Sequence, residues 1–337
     1  MAIASTHSRA ASLWRLVAVA LFAACALAWP AEAQAQGERY AVLIQGTTGG
    51  EPYTATHRKW INELVAVMRD KLGMDPAHLS VLTEQPTGTE QPANAASVKA
   101  AFSKIAGQAK DGDLVFVLLI GHGGGDGADA KFNLVGPDLT VIEWSALLSP
   151  IKGRIAFVDT TGGSFPFLKG LAAPGRLIMT ATGSSAQKYD TVFPEFFIQA
   201  LTAPIADADK NGRVSLLEAF VYASSLVKQH YEQRGQLSTE TAVFNDTGDG
   251  APVSSAAPGQ AAGTVASLTY LDVVAAPKST NPEVQALLVK QQTLTQQVDE
   301  LRRRRPAMTA EAYDQEFEKL IVELALVSRD VRRRTGG

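Results

Sequence analysis

The densest run of metal-seeking oxygens in the chain is Asp207-Ala208-Asp209-Lys210-Asn211-Gly212-Arg213-Val214-Ser215-Leu216-Leu217-Glu218. Side-chain oxygens recur at alternate positions through Asp207, Asp209 and Asn211. Gly212 permits a sharp turn and Arg213 offers its backbone carbonyl. Ser215 reaches the centre directly or through water, and Glu218 closes the set with a bidentate carboxylate. This is the ligand order of the EF-hand loop, which surrounds a hard cation with about six to eight oxygens. The expectation is one Ca2+ held by Asp207, Asp209, Asn211, Arg213, Ser215 and Glu218. The competing reading is a polar turn between two helices that binds nothing. Residues 193–203 suit the entering helix and residues 216–231 the leaving one. No partner hand is evident, because the acidic stretch 245–250 (NDTGDG) lacks a closing Glu. An isolated loop of this kind fits weak, structural calcium in the ~10⁻⁴–10⁻³ M class.

A second set of residues follows two apolar runs. Residues 114–120 lead into Gly121-His122-Gly123-Gly124-Gly125, and residues 154–158 lead into Asp159-Thr160-Thr161-Gly162-Gly163-Ser164-Phe165. If the runs are parallel strands, both endings lie at the carboxyl edge of a sheet, where α/β proteins bind ligands. A histidine there either lines a cleft or is a satisfied turn residue. Two features suggest a serine or threonine hydrolase. His122-Gly123-Gly124-Gly125 matches an HGGG oxyanion loop, and Gly162-Gly163-Ser164-Phe165-Pro166 is one residue short of a G-x-S-x-G elbow. That chemistry also wants a histidine after the acid, and only His230 lies downstream, on a predicted helix. His57 and His78 are expected at the surface.

These two blocks, with the opening stretch 40–53 (YAVLIQGTTGGEPY), resemble the legumain-like branch of the caspase-type cysteine peptidases. In that family an apolar strand ends in His-Gly. The next strand ends in an acidic residue shortly before the nucleophilic Cys. The resemblance covers about residues 39–245 and implies a caspase-like α/β fold, with His122 in the place of the catalytic histidine. The departures carry the functional expectation. The nucleophile position falls on Thr160 or Thr161, with Thr161 preferred. The specificity arginine falls on Thr54, and Arg58 is close in sequence but out of register. A threonine hydroxyl is a weak nucleophile without a strong adjacent base, whereas cysteine carries some thiolate near neutral pH. The resemblance therefore implies a non-catalytic relative acting as a binding or scaffold module for a peptide or protein ligand. The alternative is a hydrolase, peptidase or esterase, using Ser164 or Thr161 with His122.

The elements that must position these residues alternate along the chain. Residues 40–44, 79–82, 114–120, 155–158 and 177–179 are uniformly apolar, as strands buried on both faces are. Between them Trp60, Leu64, Val67, Met68 and Leu72, and then Val98, Phe102 and Ile105, recur at helical spacing. Strand and helix in alternation predict a doubly wound, mostly parallel α/β sheet over residues 36–247. Residues 248–267, rich in Gly, Ala, Ser and Pro, read as a flexible linker. A short strand is expected at 268–274. Beyond it, Asn281-Pro282 opens a helix with Val284, Leu287, Leu294, Val298 and Leu301 on one stripe. Arg305-Pro306 interrupts, and Tyr313, Phe317, Leu320, Leu324, Val327 and Val331 form a second stripe. Together they predict an antiparallel helical hairpin that packs within the chain or pairs with a second copy.

The 337 residues are 46% hydrophobic and 19% charged, with mean hydropathy +0.01, which excludes a wholly disordered chain. A net charge of −3 gives no general reason to expect nucleic acid, and the arginine runs 302–305 and 332–334 suit helix C-termini. Arg9 and Arg15, the apolar run 16–29 and the sites Ala31-Glu32-Ala33 and Ala33-Gln34-Ala35 form a secretory signal-peptide pattern over residues 1–35. Export to the periplasm or the extracellular space is expected, with no membrane attachment after cleavage. The single cysteine, Cys25, lies inside this leader. It makes a lipoprotein anchor the minor alternative, and it excludes a disulfide framework or a Cys-based zinc site.

Overall fold

The computed structural model describes residues 37–256, 261–273 and 279–335, so the leader lies outside the described residues. The strands, in chain order, are β1 (Arg39–Gln45), β2 (Leu79–Thr83), β3 (Gln91–Pro92), β4 (Leu114–Ile120), β5 (Gly123–Gly124), β6 (Lys131–Phe132), β7 (Leu139–Thr140), β8 (Arg154–Asp159), β9 (Arg176–Thr180) and β10 (Val243–Asn245). Seven of them form one sheet in the order β10-β9-β8-β4-β1-β2-β3. All neighbours are parallel except β10, which runs antiparallel to β9. The doubly wound α/β architecture is thus present. β5, β6 and β7 form a small antiparallel sheet that the sequence did not announce, because each contributes only two residues.

Both faces of the main sheet are covered, which explains the uninterrupted apolar runs. Successive strand residues point to opposite faces. Leu43, Phe116, Leu118 and Val158 pack on one side with Trp60 and Leu64 of α1 (Tyr53–Ala66). Val42, Val117, Leu119 and Phe157 pack on the other with Phe102 of α2 (Ala95–Gln108), Trp144 of α3 (Val141–Leu148) and Phe167 of α4 (Phe165–Leu171). The first face is completed by Phe193 and Phe197 of α5 (Phe193–Ala200) and by Phe220 of α6 (Leu216–Gln233). Capping follows local chemistry: Asn94 Oδ1 accepts from the Ser97 amide, and Thr140 with Glu143 closes a capping box.

The chain reverses its direction of winding between β1 and β4. From β1 it moves outward to β2, then returns to place β4 on the other side of β1. The crevice beyond the carboxyl ends of these two strands is where such sheets bind ligands.

Three expectations are corrected. The described parts of the expected linker 248–267 are packed against the α/β body rather than free. Val253 bridges to Phe244, and Ala266 of α7 (Thr264–Ser267) is fully buried in the core. The described residues accordingly belong to one compact unit. A buried carboxyl explains this: Asp246 accepts from the amides of Gly263, Val265 and Ala266, which ties the Gly/Ala-rich segment down. The expected strand at 268–274 is a single bridge, Tyr270 to Ser215, and Val274 lies outside the described residues. The third correction concerns the helix entering the acidic loop. It ends at Ala200 rather than Ala203, and turns at Thr202, Ala203 and Ala206 fill the gap.

The tail folds as α8 (Pro282–Arg304) and α9 (Ala310–Thr335), which pack against each other as an antiparallel hairpin. Leu294, Val327 and Val331 form its core, and Gln291 meets Ser328. Among the described residues no helix is long and apolar enough to cross a membrane.

Candidate functional site

The carboxyl-end crevice is built from the loops after β1 and β4 and the segment before α5. His122 follows Gly121, whose φ of +146° lets the chain leave the sheet. Its Nε2 lies 2.9 Å from the Thr48 carbonyl and its Nδ1 3.2 Å from Asp190 Oδ1. Both ring nitrogens lie against oxygens of the crevice itself, Nε2 against a backbone carbonyl and Nδ1 against a carboxylate. The Tyr53 ring meets His122 edge-on at 4.9 Å, and Asp190, by accepting from the Tyr53 hydroxyl, raises that tyrosine's pKa.

Beneath them lies His57, only 5% exposed and therefore not the surface residue expected from sequence. It stacks on Trp60 at 5.6 Å and sits 5.3 Å from the His122 ring. Burial, reinforced by His122, pushes its pKa down to about 4. The other expected surface histidine, His78, is half-buried against the Tyr40 ring at 4.4 Å. Asp190 and His57 carry no motif in the sequence. Only the fold brings them to His122.

The two threonines after β8 separate cleanly. Thr160 Oγ1 donates to the Leu119 carbonyl at 2.6 Å, a tie back into the sheet. Thr161 points the other way and is 1% exposed, and its Oγ1 has no hydrogen-bond partner. It lies directly under β5: a Cβ built on Gly123 would come within 2.9 Å of Thr161 Oγ1. Gly163 packs as closely, since a Cβ there would meet the Gly123 carbonyl carbon at 2.7 Å. Gly125, Gly162 and Gly163 therefore permit close backbone-to-backbone approach, whereas Gly124 has open space around it. Gly123 and Gly124 pair with Phe132 and Lys131 as strand β5, so they do not form a free oxyanion loop. Ser164 is fully buried, with Oγ 2.9 Å from Thr182 Oγ1, and so is not presented as an exposed elbow nucleophile. Thr54 Oγ1 meets Thr48 Oγ1 at 3.0 Å, and Arg58 is engaged by Glu90. His230 lies on α6 against Phe196, away from these residues.

Two buried carboxyls support this crevice. Asp159 is fully buried and accepts from the Thr161 amide at 3.0 Å, and desolvation raises its pKa to about 7. Glu240 accepts from the amides of Val192 and Phe193 and from the Tyr231 hydroxyl, which fixes the segment carrying Asp190. Burial raises its pKa to about 7 as well.

The acidic loop lies at the other end of the sheet, where Arg213 acts electrostatically on Arg39, the first residue of β1. Ligand oxygens of Asp207, Asp209 and Glu218 gather within 4.8 Å of one another. Lys210 at φ 58° and Gly212 at φ 84° turn the backbone around them. Asp207 accepts from the amides of Asn211 and Gly212, and Glu218 Oε1 accepts from those of Ala208 and Asp209. Glu218 also forms a capping box with Ser215 at the start of α6. Such an all-oxygen set fits a hard divalent cation and offers nothing to a soft one. The stretch around Tyr270 packs against the loop: the Leu216 amide donates to the Thr269 carbonyl, and Asn211 Nδ2 donates to the Tyr270 hydroxyl at 3.2 Å.

No protein-family model and no curated protein matches the chain. Among the solved structures that match is protein GSU0716 from Geobacter sulfurreducens. It is 13% identical, with TM-score 0.44, over 71% of this chain and 100% of that one. A likeness at that level carries no functional argument.

Proposed function

We propose that this chain is an exported, calcium-binding module that uses a caspase/legumain-like α/β domain to bind a peptide or protein ligand without hydrolysing it. One observation carries this reading: Thr161, at the position of the nucleophile, is roofed by Gly123 and 1% exposed. The carboxyl beside it, Asp159, is itself fully buried, and both nitrogens of His122 face other acceptors. Covalent catalysis needs an accessible nucleophile with a base in hydrogen-bond reach. The deciding assay incubates the purified chain with peptide and ester substrates, with and without calcium. No turnover above background is expected. Turnover that disappears in Thr161→Val or Ser164→Ala would overturn the non-hydrolytic reading.

The loop 207–218 would hold one Ca2+ through Asp207, Asp209, Asn211, Ser215 and Glu218 and the Arg213 carbonyl. Bound calcium would fix the turn that starts α6, a structural role. Export is checked by N-terminal sequencing of the cell-envelope protein. A start just after Ala33 or Ala35 supports a cleaved leader, and a lipidated start at Cys25 supports the anchored alternative.

A further inference from the structure

A cavity of about 840 Å³ opens between the acidic loop, α7 and the hairpin, at the opposite end of the sheet from His122. That is an ordinary volume for a small-molecule site. Its wall carries Arg213, Arg302 and Arg305. Each guanidinium lies over an aromatic ring: Arg213 over Tyr270 at 3.9 Å, Arg302 over Phe317 at 5.9 Å, and Arg305 over Tyr313 at 5.1 Å. A ring beneath a guanidinium holds its plane while leaving its N–H edge free to donate. Arg213 spends two nitrogens on Asp272, whereas the carboxylate near Arg302, on Asp299, stands off at 3.7 Å. Arg305 forms no ion pair among the described residues. Three pre-oriented cations facing one cavity suit a ligand rich in oxygen acceptors.

We propose that this cavity binds a small molecule bearing an oxyanion, a phosphate ester or a carboxylate, and binds it more tightly when calcium fills the neighbouring loop. The anion site stands on the cavity's own residues; only its link to calcium rests on the proposed metal site. The link has a physical route. Asp209 and Asn211 line the cavity and also belong to the loop. A bound cation would offset the charge of Asp209 and fix Asn211, which holds Tyr270 beneath Arg213. Linkage then requires that the anion raise calcium affinity by the same factor.

The test is calorimetric titration of the purified chain with phenyl phosphate, benzoate and, as a neutral control, benzyl alcohol, each in calcium and in EGTA. Phenyl phosphate or benzoate should bind and benzyl alcohol should not; which of the two anions binds separates phosphate from carboxylate as the source. Arg302→Ala and Arg305→Ala should each weaken binding by about tenfold or more. Both residues are largely solvent-facing hairpin positions, and an unchanged melting temperature checks the fold. Calcium should tighten anion binding by roughly fivefold or more. Failure of both anions, equal binding of benzyl alcohol, or affinity untouched by both substitutions would overturn the site. Equal affinity in calcium and EGTA overturns the link. A separate calcium titration tells a failed link from a failed metal site, since anion binding lost in the arginine variants stands without calcium.

Discussion

The two ends of the central sheet hold polar side chains in opposite ways. At the carboxyl end every group that could do chemistry is engaged or sealed: His122 faces two acceptors, Ser164 bonds Thr182, and Thr161 lies under Gly123. At the amino end the acidic loop is exposed, and its carboxylates are held by backbone amides of the loop itself. The adjacent cavity presents three guanidiniums that each lie over a ring; Arg213 is also held by Asp272, and Arg302 faces Asp299 at 3.7 Å. Buried polar groups cost free energy unless they find partners, and the closed end satisfies most but not all of its own, leaving His57 Nδ1 and Thr161 Oγ1 without one. Groups meant for a ligand must keep capacity unspent, which only partial exposure permits. The sheet end that such folds commonly use for ligands is here the more closed of the two.

The comparison can be broken or sharpened by substitution. The largest effect is expected from Asp246→Ala. Because β10 is antiparallel, Asp246 sits at the amino end and there holds α7 through several amides. Its loss should cost about 4 kcal/mol, since it orphans buried donors. Hydrogen exchange should rise at residues 263–270 and not around His122; a rise at both ends would show that the two regions do not open separately.

Next is the pH dependence of the carboxyl end. Asp159 has a folded pKa of about 7 against 3.8 ordinarily, and Glu240 about 7 against 4.5. Between those values the folded chain keeps protons that the unfolded chain has released, so both contributions fall as pH rises. His57, at about 4 against 6.5, acts in the opposite sense, and its contribution rises with pH over that range. Asp159→Asn mimics the protonated carboxyl. It should gain on the parent chain from pH 4 to pH 7, by an amount of order 3 kcal/mol, and hold that gain above pH 7. A gain that is flat with pH in denaturant titrations would mean that Asp159 is not desolvated as described.

Calcium at about a hundredfold over its Kd should stabilise the chain by about 2.7 kcal/mol. Asp207→Ala and Glu218→Gln should abolish that rise in melting temperature. Glu218→Gln should also lower basal stability slightly, because Glu218 caps α6. The smallest effect is expected from His122→Ala, under about 1 kcal/mol, because the residue is partly exposed and its partners can turn to water. A larger loss would mean that the carboxyl-end crevice is a structural keystone.

How much was legible in the sequence differs between the ends in the same way. The acidic loop was readable because its donors lie within twelve consecutive positions, where local geometry alone sets ligand order. The strands were readable because burial on both faces leaves a one-dimensional apolar signature. Asp190 and His57 were not, because they reach His122 from separate segments and neither sits in a pattern. The Gly/Ala-rich stretch misled for a related reason. Its composition says that it can be flexible, but Asp246 ties Gly263, Val265 and Ala266 to the core.

By itself the sequence determined the doubly wound α/β class, the helical hairpin, the acidic loop and the confinement of the single cysteine to position 25. Each of these is written in residue type and short-range spacing. The tertiary structure decided that Thr160 is tied into the sheet while Thr161 is sealed under Gly123, that both nitrogens of His122 lie against oxygens, and that three arginines from two distant segments share one cavity. Those facts depend on which backbones pass close enough to touch, and glycine packing, winding reversal and an antiparallel edge strand set that in three dimensions.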